Sequence, residues 1–129
     1  MPTHNIRLAG PWELHQKDSE PTRIRLPFEL QATDNTHQLV RNFHRPSGLT
    51  DECQVRIVAT TSITPLTVLI NGQAVEPSAV SKDKQSCEAT YDATTLLKAF
   101  NSLSIQSTAG TVVTVRAVSM EIESNDTSN

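Results

Sequence analysis

Aromatic residues are scarce in this sequence: one Trp, one Tyr and three Phe among 129 residues. A surface that stacks several rings on sugars therefore has little to be built from. The four glycines are isolated, so no Gly-rich loop is available to cradle a phosphate. No segment approaches the roughly 20 apolar residues that a helical bilayer crossing requires, and no membrane partner is expected. Eleven basic and 14 acidic residues leave a net charge of −3, too little positive field to hold a polyanion, so no nucleic acid partner is expected either. The two cysteines, Cys53 and Cys87, lack the CxxC pairing of a zinc ribbon or a dithiol redox site, and no metal or cofactor is expected. The opening Met1-Pro2-Thr3-His4-Asn5 has neither the cationic nor the apolar part of a secretory signal. A cytoplasmic location with free thiols follows as the expectation, or an exported one if a signal was trimmed.

Val, Ile and Thr make up 33 of the 129 residues, a β-branched enrichment that favours strands. The length suits one core, so a single domain over 1–123 with a polar, disordered tail at 124–129 is expected. Period-two alternation is the main local signal. Residues 23–30 place Ile24, Leu26, Phe28 and Leu30 on one face, with Pro27 on the polar face marking an edge or a bend. Strands also read at 38–44, 54–60, 66–70, 88–92, 103–106 and 112–122, the last with Val113, Val115 and Ala117 on one face and Val118 on the other. Asn71-Gly72 between Ile70 and Gln73 is a hairpin signal, since both residues tolerate φ > 0. Thr94-Thr95-Leu96-Leu97-Lys98 reads as one helical turn behind a hydroxyl cap. About eight strands spaced by turns describe an all-β, jelly-roll sandwich. The predicted core holds Trp12, Leu26, Phe28, Phe43, Ile57, Val68, Ile70, Leu97, Leu103 and Ile105.

Chemistry is sparse. A glycosidase needs two carboxylates roughly 5–10 Å apart in a cleft, whereas the acidic residues here fall in loops or outward strand positions, Asp51-Glu52 in a turn among them. No GxSxG or comparable nucleophile motif accompanies His4, His15, His37 and His44, and the spacing of His37 and His44 puts them on opposite faces of one strand. Arg41 is the singular residue, because alternation sets it on the apolar side between Leu39 and Phe43. A buried guanidinium must find acceptors, so Arg41 is either part of a core ion pair, a side chain snorkelling at the sheet rim, or a ligand contact. Arg23, Arg25, Arg45 and Arg56 read as a solvated face. Of the aromatics, Trp12, Phe28, Phe43 and Phe100 are expected inside, leaving Tyr91 as the one candidate platform for a sugar, with a core position as its alternative.

The order of six motifs carries a resemblance. Leu8-Ala9-Gly10-Pro11-Trp12-Glu13-Leu14, Leu39-Val40-Arg41-Asn42-Phe43, Val55-Arg56-Ile57, Val68 to Val75 around Asn71-Gly72, Tyr91 to Lys98, and Asn101-Ser102-Leu103-Ser104-Ile105 together resemble the N-terminal sugar-binding domain of family-2 glycoside hydrolases, the β-galactosidase and β-glucuronidase group. The resemblance implies a galactose-binding-like jelly roll and a non-catalytic accessory module. It departs from the family where an aromatic-Arg-Arg strand becomes Leu39-Val40-Arg41 and where Phe100 replaces a glycine before Asn101. It does not by itself imply a bound sugar.

The sequence thus points to a non-catalytic binding or interaction module, contacting another protein or itself, with Arg41 and Tyr91 as candidate ligand residues. A carbohydrate-binding accessory module of a glycoside hydrolase system is the alternative, and an enzyme with an unrecognised site is a third reading. Pro27 and two arginines on 23–30 discourage edge pairing, which leaves a broad sheet face as the expected contact surface.

Overall fold

The computed structural model describes residues 3–8, 10–16, 19–30, 38–50, 52–62, 66–106 and 112–124. These contain twelve strands: β1 (Thr3–Arg7), β2 (Trp12–His15), β3 (Thr22–Ile24), β4 (Phe28–Leu30), β5 (Gln38–His44), β6 (Cys53–Thr61), β7 (Thr67–Ile70), β8 (Gln73–Val75), β9 (Ala79–Lys82), β10 (Cys87–Asp92), β11 (Phe100–Gln106) and β12 (Val113–Ser124). All pairings are antiparallel, and they build two six-stranded sheets. Sheet 1 runs β1-β12-β6-β10-β9, with β4 also paired to β12, and sheet 2 runs β3-β2-β5-β11-β7-β8. The expected all-β sandwich is the observed architecture.

The inward rows follow the period of two that the sequence displays. Val55, Ile57, Ala59, Ala89 and Tyr91 from sheet 1 meet Leu14, Leu39, Val68, Ile70, Leu103 and Ile105 from sheet 2, all buried in one cluster. Trp12 is fully buried and satisfies its indole N–H by donating to the Leu8 carbonyl at 2.6 Å, as a buried indole must. Leu26, Phe28, Phe43 and Leu97 are only partly buried and pack against the rim of this cluster, so the predicted core is correct at its centre and too wide at its edge.

Two strand expectations are corrected. Residues 23–30 are not one strand: β3 belongs to sheet 2 and β4 to sheet 1, and the chain crosses between sheets around Leu26-Pro27. Alternation persists on either side of Pro27, which made two short strands look like one. In β12 the register shifts between Val115 and Ala117, so the inward set changes from Val113 and Val115 to Val118, Met120 and Ile122. One extra residue at Arg116 reverses the face, as a β-bulge does, and Ala117 is exposed where Val118 is buried. The expected helical turn at Thr94–Lys98 is a single hydrogen-bonded turn, in which the Leu96 amide donates to the Ala93 carbonyl at 3.0 Å.

That turn is tied down by side chains. Asp92 Oδ1 accepts the Thr94 amide at 3.0 Å, which holds the Asp92 carboxyl below its ordinary range, and Thr94 Oγ1 accepts the Val55 amide at 3.0 Å. Asn101, fully buried, accepts the Lys98 amide at 2.7 Å and returns a bond to the Lys98 carbonyl at 2.8 Å. Asn71 reaches over to donate to Asn101 Oδ1 at 3.0 Å and to the Leu96 carbonyl at 2.9 Å. The hairpin stands as expected, with φ of 53° at Asn71 and 81° at Gly72. His37 and residues 125–129 lie outside the described residues.

Candidate functional site

The two outer faces differ sharply in charge. On sheet 1, Arg7, Arg56, Glu88, Asp92, Glu121 and Glu123 occupy outward positions, and the central ones pair with each other. Arg56 Nη2 donates to Glu121 Oε1 and Glu123 Oε2, each at 2.7 Å, and Nη1 reaches Gln54 Oε1 at 3.1 Å. Hydrogen bonds from the guanidinium to Glu123 and then Glu121 hold its pKa above the ordinary value. On sheet 2 the outward positions of β5, β11, β7 and β8 are Gln38, Val40, Asn42, His44, Phe100, Ser102, Ser104, Gln106, Thr67, Leu69 and Ala74. Among the described residues that four-strand surface has no Asp, Glu, Lys or Arg. Charge returns only at its flank, with Glu13 on β2 and Arg23 on β3.

Phe100 stands at one end of this neutral face. It is 55% exposed, and its ring meets His44 edge-on with centroids 5.0 Å apart. The expectation that Phe100 packs underneath the sheet is therefore overturned. The signal was present, since Phe100 alternates with Asn101, Leu103 and Ile105, which are buried. Tyr91 shows the opposite correction: it is fully buried, and its hydroxyl donates to the Leu66 carbonyl at 3.0 Å. Burial pushes the phenol pKa up to about 12. Tyr91 cannot stack on a ligand from solvent, and its inward row with Cys87 and Ala89 explains why.

Arg41 lies at the rim. Strand β2 pairs with β5 only as far as Glu13 opposite Val40, so the chain turns away at Pro11 and leaves a notch beside Arg41. The Arg41 Nη1 donates to the Pro11 carbonyl at 3.2 Å. Its Nε is buried without a hydrogen-bond partner. The notch, about 170 Å³, is lined by Pro11, Glu13, Arg23, Val40, Arg41 and Asn42. Of the readings open for Arg41, the core ion pair is not what forms: among the described residues it has no carboxylate partner. Arg41 and Tyr91 are not brought together, one being at the sheet 2 rim and the other in the core.

A second concavity, an open groove of about 1160 Å³, runs between β1, the end of β12 and the loop from Pro46 to Cys53. Cys53 also borders an adjacent pocket of about 200 Å³ that includes Arg45 and Thr94. The Thr50 amide and hydroxyl approach its Sγ at 3.5 and 3.6 Å and lower the thiol pKa. Cys87 is buried, and both thiols are free. The described residues contain no group of three or more His, Cys, Asp or Glu able to hold a metal. The close carboxylates Glu121 and Glu123 lie on a flat face bound to one guanidinium, a different setting from the paired acids of a hydrolytic cleft.

No protein-family model matches this chain, and no curated protein matches it. Among solved structures it is similar to part of an FMN-binding beta-glucuronidase from Facaelibacterium prausnitzii L2-6, with a TM-score of 0.71 and 18% identity. The match covers 95% of this chain and 23% of that one. At that identity the likeness shows a shared β-sandwich fold, within a glycoside hydrolase chain of which this chain spans under a quarter. No helix among the described residues is long and apolar enough to cross a membrane.

Proposed function

We propose that this sandwich is a non-catalytic interaction module that associates weakly with a second copy of itself through the outer face of sheet 2. The observation that carries the reading is the charge-free surface of β5, β11, β7 and β8 with the exposed Phe100 at its end. Interface centres are depleted in charge and enriched in aromatic residues, because a charge without a partner is costly to desolvate and a ring offers much area at little entropy. Two copies meeting by their neutral faces oppose no like charges. The outer face of sheet 1 would bring its acidic residues against themselves, and its Arg56 is already engaged.

Size sets the strength. At about 3.3 Å rise and 4.8 Å strand spacing, the 21 residues of β5, β11, β7 and β8 have a footprint of roughly 330 Å². A stable dimer of standard size buries about 800 Å² on each partner, so the contact belongs to the weak, transient class. The test is light scattering over a concentration series, comparing the native chain with Ser104→Arg in the centre of the face and Thr60→Arg on sheet 1. Association that is lost in the first and kept in the second is expected. Equal association in all three would place the contact elsewhere.

Phe100 also favours a second reading, a carbohydrate-binding accessory module. Its ring is flanked by the side chains of Asn42 and Ser102, the amide and hydroxyl types that read sugar hydroxyls, and the structural neighbour is a glycoside hydrolase. Calorimetric titration with galactose, glucuronate and short oligosaccharides separates the two. One half-exposed phenyl ring, with only the His44 ring set edge-on against it among the described residues, predicts weak or undetectable binding of monosaccharides. Incubation with aryl glycosides, expected to give no turnover, tests the non-catalytic assignment. We place the module in the cytoplasm, a compartment in which the thiols of Cys53 and Cys87 would stay reduced.

A further inference from the structure

Asn71-Gly72 does more chemically than turn the β7–β8 hairpin. In an Asn-Gly pair the backbone nitrogen of the glycine can attack the asparagine side-chain amide, because glycine has no side chain to shield that nitrogen. Gly72 is exposed, and a Cβ built on it would meet nothing within 4 Å, so solvent base reaches this backbone freely. The Asn71 side chain, in contrast, is engaged at both of its polar atoms. Its Oδ1 accepts the Ser102 amide at 2.9 Å, and its Nδ2 donates to the Leu96 carbonyl at 2.9 Å and to Asn101 Oδ1 at 3.0 Å. Backbone partners fix which atom is which, since an amide N–H only donates and a carbonyl only accepts. Asn101 is oriented in the same way by the Lys98 amide and carbonyl, at 2.7 and 2.8 Å. A flip of either amide would set donor against donor and acceptor against acceptor.

We propose that Asn71-Gly72 is a gated deamidation site: the hydrogen bonds of the Asn71 side chain hold the reaction off, and the product cannot rebuild them. The Gly72 nitrogen gives its proton to solvent base and bonds to Asn71 Cγ, while the Cγ–Nδ2 bond breaks and Nδ2 leaves with a proton as ammonia. Water then opens the cyclic imide at one of its two carbonyls and leaves aspartate or isoaspartate at 71. Ring closure makes Cγ tetrahedral and expels Nδ2, so the bonds to Leu96 and Asn101 do not survive it. The reaction therefore runs from molecules in which the turn has opened locally, and its rate follows their population. The change is one-way. In an aspartate at 71 an oxygen takes the place of Nδ2 opposite two acceptors, the Leu96 carbonyl and Asn101 Oδ1, and Asn101 cannot turn to meet it without giving up Lys98. Isoaspartate also lengthens the backbone within a two-residue turn that sets the β7–β8 register. The site does not draw on the self-association reading, because every bond in it is internal to the chain.

The test incubates the full chain at mildly alkaline pH, with and without guanidinium chloride. Mass spectrometry then follows the tryptic peptide 57–82, in which Asn71 is the single asparagine, for the gain that replacing NH2 by OH brings. Conversion in the folded chain is expected to be slower than in the unfolded chain by at least about tenfold. Asn101→Ala removes an acceptor of Nδ2 and should convert several-fold faster than Met120→Ala, which loosens the buried core at sheet 1 without touching these bonds. Asn71→Asp supplies the product directly and should unfold at lower urea than the native chain. Aspartate tolerates φ > 0 much as asparagine does, so that loss reads the hydrogen bonds and not the backbone. No conversion in guanidinium chloride would overturn the site. Equal conversion in folded and unfolded chains, or Asn101→Ala no faster than Met120→Ala, would overturn the gate, and a native urea midpoint in Asn71→Asp would overturn the one-way change.

Discussion

Replacing Phe100 by Ala separates the role of its ring in the fold from its role at the surface. The side chain is 55% exposed. Of about 200 Å² that a Phe can bury, roughly 90 Å² is covered within the chain and roughly 110 Å² is open. At about 25 cal/mol per Å², the covered part contributes up to about 2 kcal/mol to stability, and covering the rest in a complex contributes up to about 3 kcal/mol. Phe100→Ala should therefore lower stability by about 1–2 kcal/mol and weaken self-association by at least about tenfold, since each 1.4 kcal/mol is a factor of ten. Sedimentation velocity over a concentration series reads the second effect, and urea unfolding of dilute protein reads the first. Unchanged association with reduced stability would show that the ring faces solvent without contacting a partner. A loss of several kcal/mol in stability would show that it is buried after all.

Three further outcomes follow from the packing. Tyr91 is the only tyrosine in the chain, so absorbance near the phenolate band should show ionisation near pH 12 in the folded state. Because its folded pKa lies above the ordinary value of 10.0, its contribution of up to about 3 kcal/mol is intact below pH 10 and lost as pH rises towards 12; a titration midpoint at 10 in folded protein would contradict its burial. Asn101→Ala strips partners from the Lys98 amide and carbonyl and from Asn71, and should cost about 3 kcal/mol in the urea midpoint, with a loss below 1 kcal/mol refuting the clamp. Cys53 should react with a disulfide reagent in the native state and Cys87 only after unfolding, and equal rates would show that the two thiols are equally accessible.

How far the sequence reveals all this depends on whether one residue's pattern is enough. In β5 and β6, and in the 103–106 half of β11, strict alternation identifies both the strand and its inward side, and Asn71-Gly72 fixes the hairpin through its backbone preference alone. The bulge at Arg116 was not readable, since valines on both sides of it satisfy either face and only the partner strand decides the register. Pro27 signals a bend in the sequence, but the change of sheet there is not readable, because two short strands in different sheets keep the same period. Phe100 reads as packed inside because it follows the turn at Thr94–Lys98, whereas its alternation with Leu103 and Ile105 sets it outward. Arg41 stands out in the sequence as a charge on an apolar face, and its Nε is buried without a hydrogen-bond partner. Its open notch comes from where β2 ends, a fact of pairing that no local window contains.

The central claim is that the neutral face of sheet 2 is the contact surface, and the most direct measurement is the amide spectrum of the chain followed from concentrated to dilute solution. Concentration-dependent shifts are expected at Val40, Leu69, Phe100, Ser102 and Ser104, with Arg56, Glu88 and Glu121 on sheet 1 unmoved. Shifts confined to sheet 1, or none on either face at the highest concentration the chain tolerates, would contradict it.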